Sequence, residues 1–165
     1  MDWRKARKED ATQIEKEEKK TFHEYAVNTT TFVPLLELFE NGQWVLEDDG
    51  KIAAYFFTEQ HNFNSLLPYN HETEGTHKKD GAYLYILMFN VTEPYRGKHI
   101  GTEMAKKLEQ IGKEEHCDGV YLVLKRDSPK VDFWKKMGYL VIKDTVWSPI
   151  IGEKRECYVM AKSLC

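Results

Sequence analysis

The chain has 165 residues, of which 41% are apolar, 13% aromatic and 31% charged. This length suits one folded domain over residues 1–165, and the composition excludes a disordered chain. The net charge of -3 creates no overall field that favours nucleic acid, and no stretch reaches the roughly 18 apolar residues of a membrane span. We therefore expect a cytoplasmic protein without nucleic-acid or membrane partners.

The first 58 residues predict two helices followed by a hairpin. The first helix begins after an N-cap at Asp10, and Glu18 interrupts its apolar stripe. The helices are predicted over residues 11–25 and 33–39, and the hairpin strands over 44–47 and 51–58, around the turn Asp48-Asp49-Gly50.

Residues 59–81 have almost no apolar period and predict a long loop. Loops of this length inside a domain are usually functional or mobile. His61, His71 and His77 lie in it, but their spacing fits no pattern of metal ligands on a helix or turn. We expect solvated histidines and no metal site.

The second half of the chain alternates strands with helices. The predicted strands cover residues 83–91, 120–124, 140–143 and 157–162. One helix begins at Ile100, with apolar residues repeating at helical spacing, and another begins at Pro129 and ends at Gly138. This order predicts an α/β fold with a parallel strand pair at the centre of a mixed sheet.

The segment from Phe89 to Thr102 combines a strand, a basic loop with glycine and the start of a helix. A helix N-terminus presents unpaired amides and the positive end of the helix dipole, so this junction suits a pyrophosphate. Gly97 and Gly101 allow close approach, while Arg96 and Lys98 add positive charge. A purely structural turn is the alternative.

The same register resembles the acyl-CoA-binding signature of the GNAT acetyltransferase superfamily: Gln or Arg, two residues, Gly, one residue, then Gly or Ala. Arg96 and Gly101 match its ends, and His99 stands at the first glycine. Downstream, a pattern that in the family reads Asn, Ala, an apolar residue, Tyr, Gly and Phe falls on Asp127, Lys130, Phe133, Trp134, Gly138 and Tyr139. Residues 4–11 resemble the family's first strand and helix start, and residues 158–162 resemble its last strand, so the resemblance spans nearly the whole chain.

The resemblance implies a mixed, mostly antiparallel sheet with a central splayed parallel pair and flanking helices. It implies acetyl-CoA as co-substrate and no metal. The loop amides would hold the pyrophosphate, backbone groups at residues 89–91 would pair with pantetheine, and the Asn90 or Val91 amide would polarise the thioester carbonyl. The implied cofactor-binding residues are Phe89, Asn90, Val91, Arg96, Gly97, Lys98, His99, Ile100, Gly101, Thr102, Asp127, Lys130 and Trp134.

The chain departs from the family at three of these positions. His99 replaces a glycine, which introduces strain only if its φ is positive. Asp127 replaces an asparagine and exchanges an amide donor for an acceptor. Trp134 stands where many members have a tyrosine thought to protonate the leaving thiolate, and indole cannot act as an acid at neutral pH.

The general base is the least determined part of the predicted site. Tyr85 and Tyr83 on the central strand are candidates for a base or a relay through water, with plain packing as the alternative. Glu93 is a second candidate, with a solvated carboxylate as its alternative. Cys117, Cys157 and Cys165 are predicted to be reduced thiols, and none has a neighbouring base in the sequence that would make it a nucleophile.

By resemblance the predicted function is transfer of an acetyl group from acetyl-CoA to a primary amine by direct attack in a ternary complex. The alternative is a CoA-binding sensor or structural module without transferase activity. His23, Tyr25, Trp147 and residues 60–80 fall where family members line the acceptor pocket, with a plain core or surface role as the alternative for each. Glu72, Glu74 and Asp80 suit a weak attractor for a cationic amine. A small polyamine, an antibiotic and a protein N-terminus or lysine stay open as acceptors, and a homodimer is possible.

Overall fold

A computed structural model describes residues 1–165 and places seven strands in one sheet. The strands are β1 (Asp2–Lys5), β2 (Trp44–Asp48), β3 (Lys51–His61), β4 (Tyr83–Val91), β5 (Gly119–Lys125), β6 (Leu140–Trp147) and β7 (Arg155–Ser163). Their order across the sheet is β1-β2-β3-β4-β5-β7-β6. All neighbours are antiparallel except β4 and β5, which are parallel. The predicted fold class, a mixed sheet around one central parallel pair, is confirmed.

Six α-helices flank the sheet, together with single turns of 3-10 helix. They are α1 (Ala11–Phe22), α2 (Thr29–Phe32), α3 (Leu35–Leu38), α4 (Thr73–Thr76), α5 (Ile100–Glu114) and α6 (Lys130–Lys136). The helix predicted over residues 33–39 is shorter than expected, since Pro34 separates α2 from α3. None of the helices is long and apolar enough to cross a membrane.

The two faces of the sheet carry separate cores. On one face α5 and α6 pack in a cluster of 19 buried residues, in which Met104 and Leu108 are fully buried. This apolar stripe is the one that the spacing of the sequence predicts. On the other face α1 and α2 contribute Ile14 and Phe32 to a cluster of nine. The sheet thus separates an α5–α6 side from an α1–α2 side.

The loop predicted over residues 59–81 begins later than expected, because β3 continues to His61. Glu59, Gln60 and His61 are all buried and pair with β4. Polar residues are unusual in a buried strand, and they are tolerated here because hydrogen bonds satisfy them. The last hairpin is also longer than predicted, with β6 reaching Trp147 and β7 starting at Arg155.

Candidate active site

The two parallel strands separate after only three residue pairs. Tyr83, Leu84 and Tyr85 pair with β5, the last of them with Tyr121, and beyond this point the strands diverge. The β3–β4 register shifts at the same level and leaves Leu87 without a partner on β3. The sheet therefore opens into a gap between β4 and β5.

The main chain of β4 offers unpaired groups to this gap. The Thr92 amide donates to the Ala53 carbonyl at 2.9 Å, and hydrogen-bonded pairs alternate along an antiparallel ladder. Phe89 and Val91 therefore face the gap, whereas the Asn90 main chain faces β3. The Asn90 side-chain amide donates to the Tyr55 hydroxyl at 3.0 Å instead. The main chain of two of the three residues predicted to pair with pantetheine therefore faces the gap, although the Val91 carbonyl already accepts a hydrogen bond from Arg96 Nε at 3.0 Å.

A cavity of about 650 Å³ joins the gap to the α1–α2 side of the sheet. Phe89 and the predicted cofactor-binding residues Asp127, Lys130 and Trp134 all line it. Glu18, His71 and Tyr85 also line it. The remaining predicted cofactor-binding residues, at 90–91 and 96–102, lie outside this lining, and those from Arg96 onward form the loop at the start of α5.

The loop before α5 has the geometry of an anion cradle. The amides of residues 97–101 have no hydrogen-bond acceptor in the protein, and the loop is exposed between Arg96 and His99. The Thr102 amide already donates to the His99 carbonyl at 3.1 Å. Five consecutive free amides at the N-terminus of a 15-residue helix fit a pyrophosphate group. Arg96 is oriented by a 3.0 Å hydrogen bond from its Nε to the Val91 carbonyl.

His99 adopts the left-handed conformation that its family counterpart, glycine, adopts freely. Its φ is +61°, and that of Gly97 is +77°. For a residue with a side chain this conformation costs about 1–2 kcal/mol. The loop therefore carries local strain at His99 while it keeps the shape that exposes the amides.

Trp134 forms an apolar wall between the cavity and the core. Its side chain is buried, and its ring packs edge-to-face on Phe89 at 4.9 Å and on Tyr139 at 4.8 Å. These contacts bury an aromatic surface and supply no acid. The proton for a departing thiolate must come from elsewhere.

The two candidate tyrosines differ in their access to the cavity. Tyr85 lines it, and its hydroxyl has no hydrogen-bond partner in the protein, whereas Tyr83 does not line it and packs against Tyr121. Burial raises the pKa of Tyr85, so its hydroxyl is a neutral phenol near pH 7. Tyr85 can therefore relay a proton but cannot by itself act as a base.

The Glu93 carboxylate is solvated, which was the alternative to its role as a general base. Its side chain is exposed and forms an ion pair with Lys20 at 3.0 Å. The hydrogen bond from Lys20 lowers the pKa of Glu93, so this carboxyl group is a weak base.

The prediction that His61, His71 and His77 are solvated is wrong, because each is hydrogen-bonded to a residue of β3. Glu59 accepts hydrogen bonds from His61 Nε2 at 2.8 Å and from His71 Nε2 at 2.5 Å, and all three residues are buried. The Tyr121 hydroxyl lies 2.6 Å from His61 Nδ1. His77 Nδ1 accepts from the Gln60 amide at 3.1 Å. No group of three or more His, Cys, Asp or Glu side chains is arranged to hold a metal ion.

Glu59 is ionised inside this cluster. Burial by itself favours the neutral acid, but hydrogen bonds from His61 and His71 outweigh it and hold the pKa of Glu59 at about 2. The Thr76 hydroxyl donates a further hydrogen bond at 2.7 Å. A buried carboxylate with three donors keeps both histidines in fixed orientations.

Glu18 is a buried carboxyl group that lines the cavity. It accepts hydrogen bonds from the Tyr55 hydroxyl at 2.7 Å and from the Val27 amide at 3.1 Å, and burial raises its pKa. The acidic loop residues predicted to attract an amine, Glu72, Glu74 and Asp80, are exposed and line no part of the cavity. The carboxyl groups that do line it are Glu18, Glu24 and Asp127.

The cavity opens between three segments that the sequence keeps far apart. Tyr25 follows α1, Tyr69 lies in the loop before α4, and Trp147 ends β6, with ring centroids 5.4 Å apart for Tyr25–Trp147 and 5.7 Å for Tyr69–Trp147. The Tyr25 hydroxyl also donates to Glu153 at 2.6 Å. His23, Tyr25 and Trp147 line the cavity, and so do residues 66–71, whereas the rest of the predicted segment 60–80 does not.

Sequence reasoning missed the roles of Glu18 and Glu59, although each left a signal. Glu18 interrupts the apolar stripe of α1, as a buried polar residue does. Glu59 and His61 are two positions apart, so they share one face of an extended strand. His71, the partner of Glu59, lies 12 residues away in the chain, and Tyr55, the partner of Glu18, lies 37 residues away. No local pattern identifies either partner.

Comparison with known proteins agrees with this geometry. Residues 3–139 match the sequence model of the Acetyltransferase (GNAT) family. Ard1 from Thermoplasma volcanium superposes with a TM-score of 0.76 at 14% identity, over 99% of this chain and 97% of that one. Arabidopsis thaliana Naa50, in complex with the bisubstrate analogue CoA-Ac-MVNAL, gives 0.73 at 17% identity, over 98% and 97%. The GNAT-like decarboxylase GphF, in complex with isobutyryl-CoA, gives 0.80 at 14% identity over 100% of both chains.

Proposed function

This chain belongs to the acetyltransferase (GNAT) family, and on that premise we propose that it transfers an acetyl group from acetyl-CoA to a primary amine, which attacks the thioester directly in a ternary complex. The family and the shared fold support acyl transfer from an acyl-CoA in general. The choice of acetyl group and amine is our proposal for this chain.

The observation that supports the proposal is a single cavity whose two ends are built differently. One end is the gap between β4 and β5 next to the free amides of residues 97–101, and the other is the mouth near Tyr25 and Trp147. A cavity of about 650 Å³ can hold the end of a pantetheine arm and a small amine together. Holding both reactants in one place removes much of the entropic barrier to their reaction.

Different residues bind the different parts of acetyl-CoA and transfer the proton. The free amides of residues 97–101 bind the pyrophosphate, while the main chain of Phe89 and Val91 pairs with the amides of pantetheine. Of the two amides predicted to polarise the thioester carbonyl, that of Val91 faces the gap. Tyr85 relays protons as a neutral phenol between the mouth and the point where the strands separate.

Direct attack is favoured over a covalent intermediate by the state of the nearest thiol. Cys157 lines the cavity, but burial raises the pKa of its thiol, and its Sγ lies 3.6 Å from the Arg155 carbonyl. A nucleophilic cysteine needs a lowered pKa and an adjacent base. Cys157 has neither.

The second candidate function is a CoA-binding sensor or structural module without transferase activity. The tryptophan at position 134 favours this alternative, because many family members have there a tyrosine thought to protonate the leaving thiolate, and indole cannot act as an acid at neutral pH. The first test is the thermal midpoint of the protein with rising acetyl-CoA, with NAD and ATP as controls. A ligand at about 100 times its Kd adds roughly 2.7 kcal/mol of stability.

Turnover then separates the two candidates. Release of CoA is measured with a polyamine, an arylalkylamine, an amino acid and a peptide with a free N-terminus as acceptors. Release above the uncatalysed rate with at least one amine supports the transferase. Selective binding of acetyl-CoA with no release for the whole panel would favour the sensor.

A further inference from the structure

We infer that Lys130 is a self-acetylation site, whose side-chain amine takes the acetyl group from bound acetyl-CoA when no other amine occupies the cavity. This inference rests on the proposed function, because it needs the same donor and the same reaction. It gives Lys130 a role beyond the contact with CoA that the resemblance implies.

The amino group of Lys130 lies between the two sides of the sheet. Lys130 begins α6, and its Nζ lies 5.4 Å from the ring centroid of Phe22, the last residue of α1. Both residues line the cavity. The side chain of Lys130 therefore runs from the α5–α6 side to the α1–α2 side at the cavity.

The face of α6 that carries Lys130 also borders the gap between β4 and β5. Trp134 follows Lys130 by one helical turn, so the two side chains lie on one face of α6, and both line the cavity. The Trp134 ring packs on Phe89 at 4.9 Å, and the main chain of Phe89 faces the gap in which we place the pantetheine arm. Acetyl-CoA bound in this gap brings its thioester into the cavity that Lys130 lines, within the range of a flexible lysine side chain.

The amino group of Lys130 has no polar partner in the protein. The one hydrogen bond that joins Lys130 to a side chain comes from its main-chain amide, which donates to the Ser128 hydroxyl at 3.2 Å. Its Nζ donates no hydrogen bond and forms no ion pair. Lys162 shows the contrast, since its Nζ donates to Glu109 and to the Met137 carbonyl, each at 2.8 Å. The nitrogen of Lys130 is therefore free to react.

An amine must be uncharged to attack a thioester. Desolvation of the amino group lowers the pKa of Lys130, and the nearby positive charge of Arg96 acts in the same direction, whereas Glu18 opposes both. A lowered pKa raises the fraction of neutral amine at a given pH, which is how a lysine becomes a nucleophile in an apolar site or beside another cation.

Lys125 is the other lysine that lines the cavity, and it provides a comparison within the same chain. Its Nζ lies 5.0 Å from the ring centroid of Tyr25, at the mouth, and it also has no ion pair. The electrostatic effect of Arg96 on Lys130 indicates that the amino group of Lys130 is near the loop before α5. We therefore expect Lys130 to react in preference to Lys125.

The reaction balances with acetyl-CoA as the only co-reactant. The neutral Nζ forms a bond to the acetyl carbonyl carbon, and the carbon–sulfur bond breaks. The proton that Nζ loses ends on the CoA thiolate, carried by water. The products are Nε-acetyl-Lys130 and CoA, and the side chain loses its positive charge. Because Lys130 is attached to the cavity, its effective concentration there is high, and an acceptor amine must compete with it.

The test incubates the full chain with acetyl-CoA and no added amine. Intact mass spectrometry counts the acetyl groups gained, and peptide mapping locates them. We expect one acetyl group per chain, on Lys130, added at least about tenfold faster than on Lys125. The rate per chain should not depend on protein concentration, and an added arylalkylamine should slow it. Lys130→Arg keeps the charge and should keep the acetyl-CoA thermal shift while removing the modification, whereas Lys125→Arg should leave it unchanged.

The same incubation in urea measures spontaneous acetylation, in which all lysines should react alike. A folded protein that acetylates Lys130 no faster than its surface lysines would overturn the inference. If the wild type acetylates an added amine while Lys130 stays unmodified, the inference fails and the proposed function stands. If the wild type binds acetyl-CoA and acetylates neither an amine nor itself, both fail.

Discussion

The end of the cavity that we propose to bind acetyl-CoA (the donor end) and the end that we propose to bind the amine (the acceptor end) are built in different ways. The main-chain part of the donor end is one continuous segment, in which β4 leads through an exposed loop into α5. The acceptor end is assembled from α1 and the turn after it, the loop before α4 and the β6–β7 hairpin, whose residues meet only in the fold. The donor end exposes main-chain amides, whereas the acceptor end is held by side-chain hydrogen bonds such as those of Glu59 and Glu18.

This difference predicts how each end responds to substitution. A change in the donor loop alters one stretch of backbone and its charge, so it should affect ligand binding more than folding. A change in a buried carboxylate at the acceptor end leaves its partners without a hydrogen bond in a dry environment, so it should affect folding as well. Four measurements test this difference between the two ends.

The largest expected effect is at Gly101. A Cβ there would lie 3.6 Å from the Phe133 ring, an ordinary contact, so alanine fits. Gly101→Asp places a carboxylate at the phosphate cradle and should weaken acetyl-CoA binding by about a thousandfold, roughly 4 kcal/mol. The thermal midpoint without ligand should be nearly unchanged, because an acidic residue is favourable in the first turn of a helix. Titration calorimetry with Gly101→Ala as control checks this, and unchanged affinity of Gly101→Asp would remove the pyrophosphate from this loop.

The next effect concerns the stability contributed by Glu59. Its pKa is about 2 in the folded protein, below its ordinary value of 4.5. The resulting stabilisation is present above pH 4.5 and is lost as the pH falls towards 2, and this shift corresponds to about 3 kcal/mol. Urea unfolding of wild type and Glu59→Gln should therefore show a large difference at pH 6 that shrinks towards pH 2. A difference independent of pH would mean that Glu59 acts through packing alone.

A smaller effect is expected at Tyr85. Its hydroxyl faces the cavity without a partner, so Tyr85→Phe should leave the thermal midpoint unchanged and lower kcat about tenfold by removing the relay. The same substitution at Tyr83, which is outside the cavity, should leave kcat as it is. Steady-state kinetics with the best acceptor distinguishes the two tyrosines. Equal effects of both substitutions would contradict their different placement.

The smallest effect is at His99, where φ is +61°. His99→Gly relieves about 1–2 kcal/mol of left-handed strain, and the greater freedom of glycine in the unfolded chain offsets about 0.5–1 kcal/mol of this. The variant should be more stable by about 0.5–1 kcal/mol. Gly97→Ala, at φ +77° with open space around it, should be less stable by about the same amount. Thermal unfolding of both variants compares them, and a destabilised His99→Gly would show that the imidazole makes a contact of its own.

Much of the fold could be predicted because its signals are local. The spacing of Ile100, Met104 and Leu108 predicts α5, and the turn at Asp48-Asp49-Gly50 predicts the β2–β3 hairpin; both elements are present. The end of β3 was missed because Glu59, Gln60 and His61 are polar and do not alternate with apolar residues. Their burial depends on partners that no window of sequence contains.

By itself the sequence determined the order of the elements, the parallel pair and the loop that leads into α5, since these follow from local patterns in successive segments of the chain. Only the tertiary structure decided that Phe89, beside the gap, and the distant Tyr25 and Trp147 line one cavity. It also decided that His71 lies against Glu59 and that His99 has a positive φ. The physical reason is that periodicity and turn chemistry act between near neighbours in the chain. The protonation and orientation of a buried side chain depend on the groups that long-range packing brings to it.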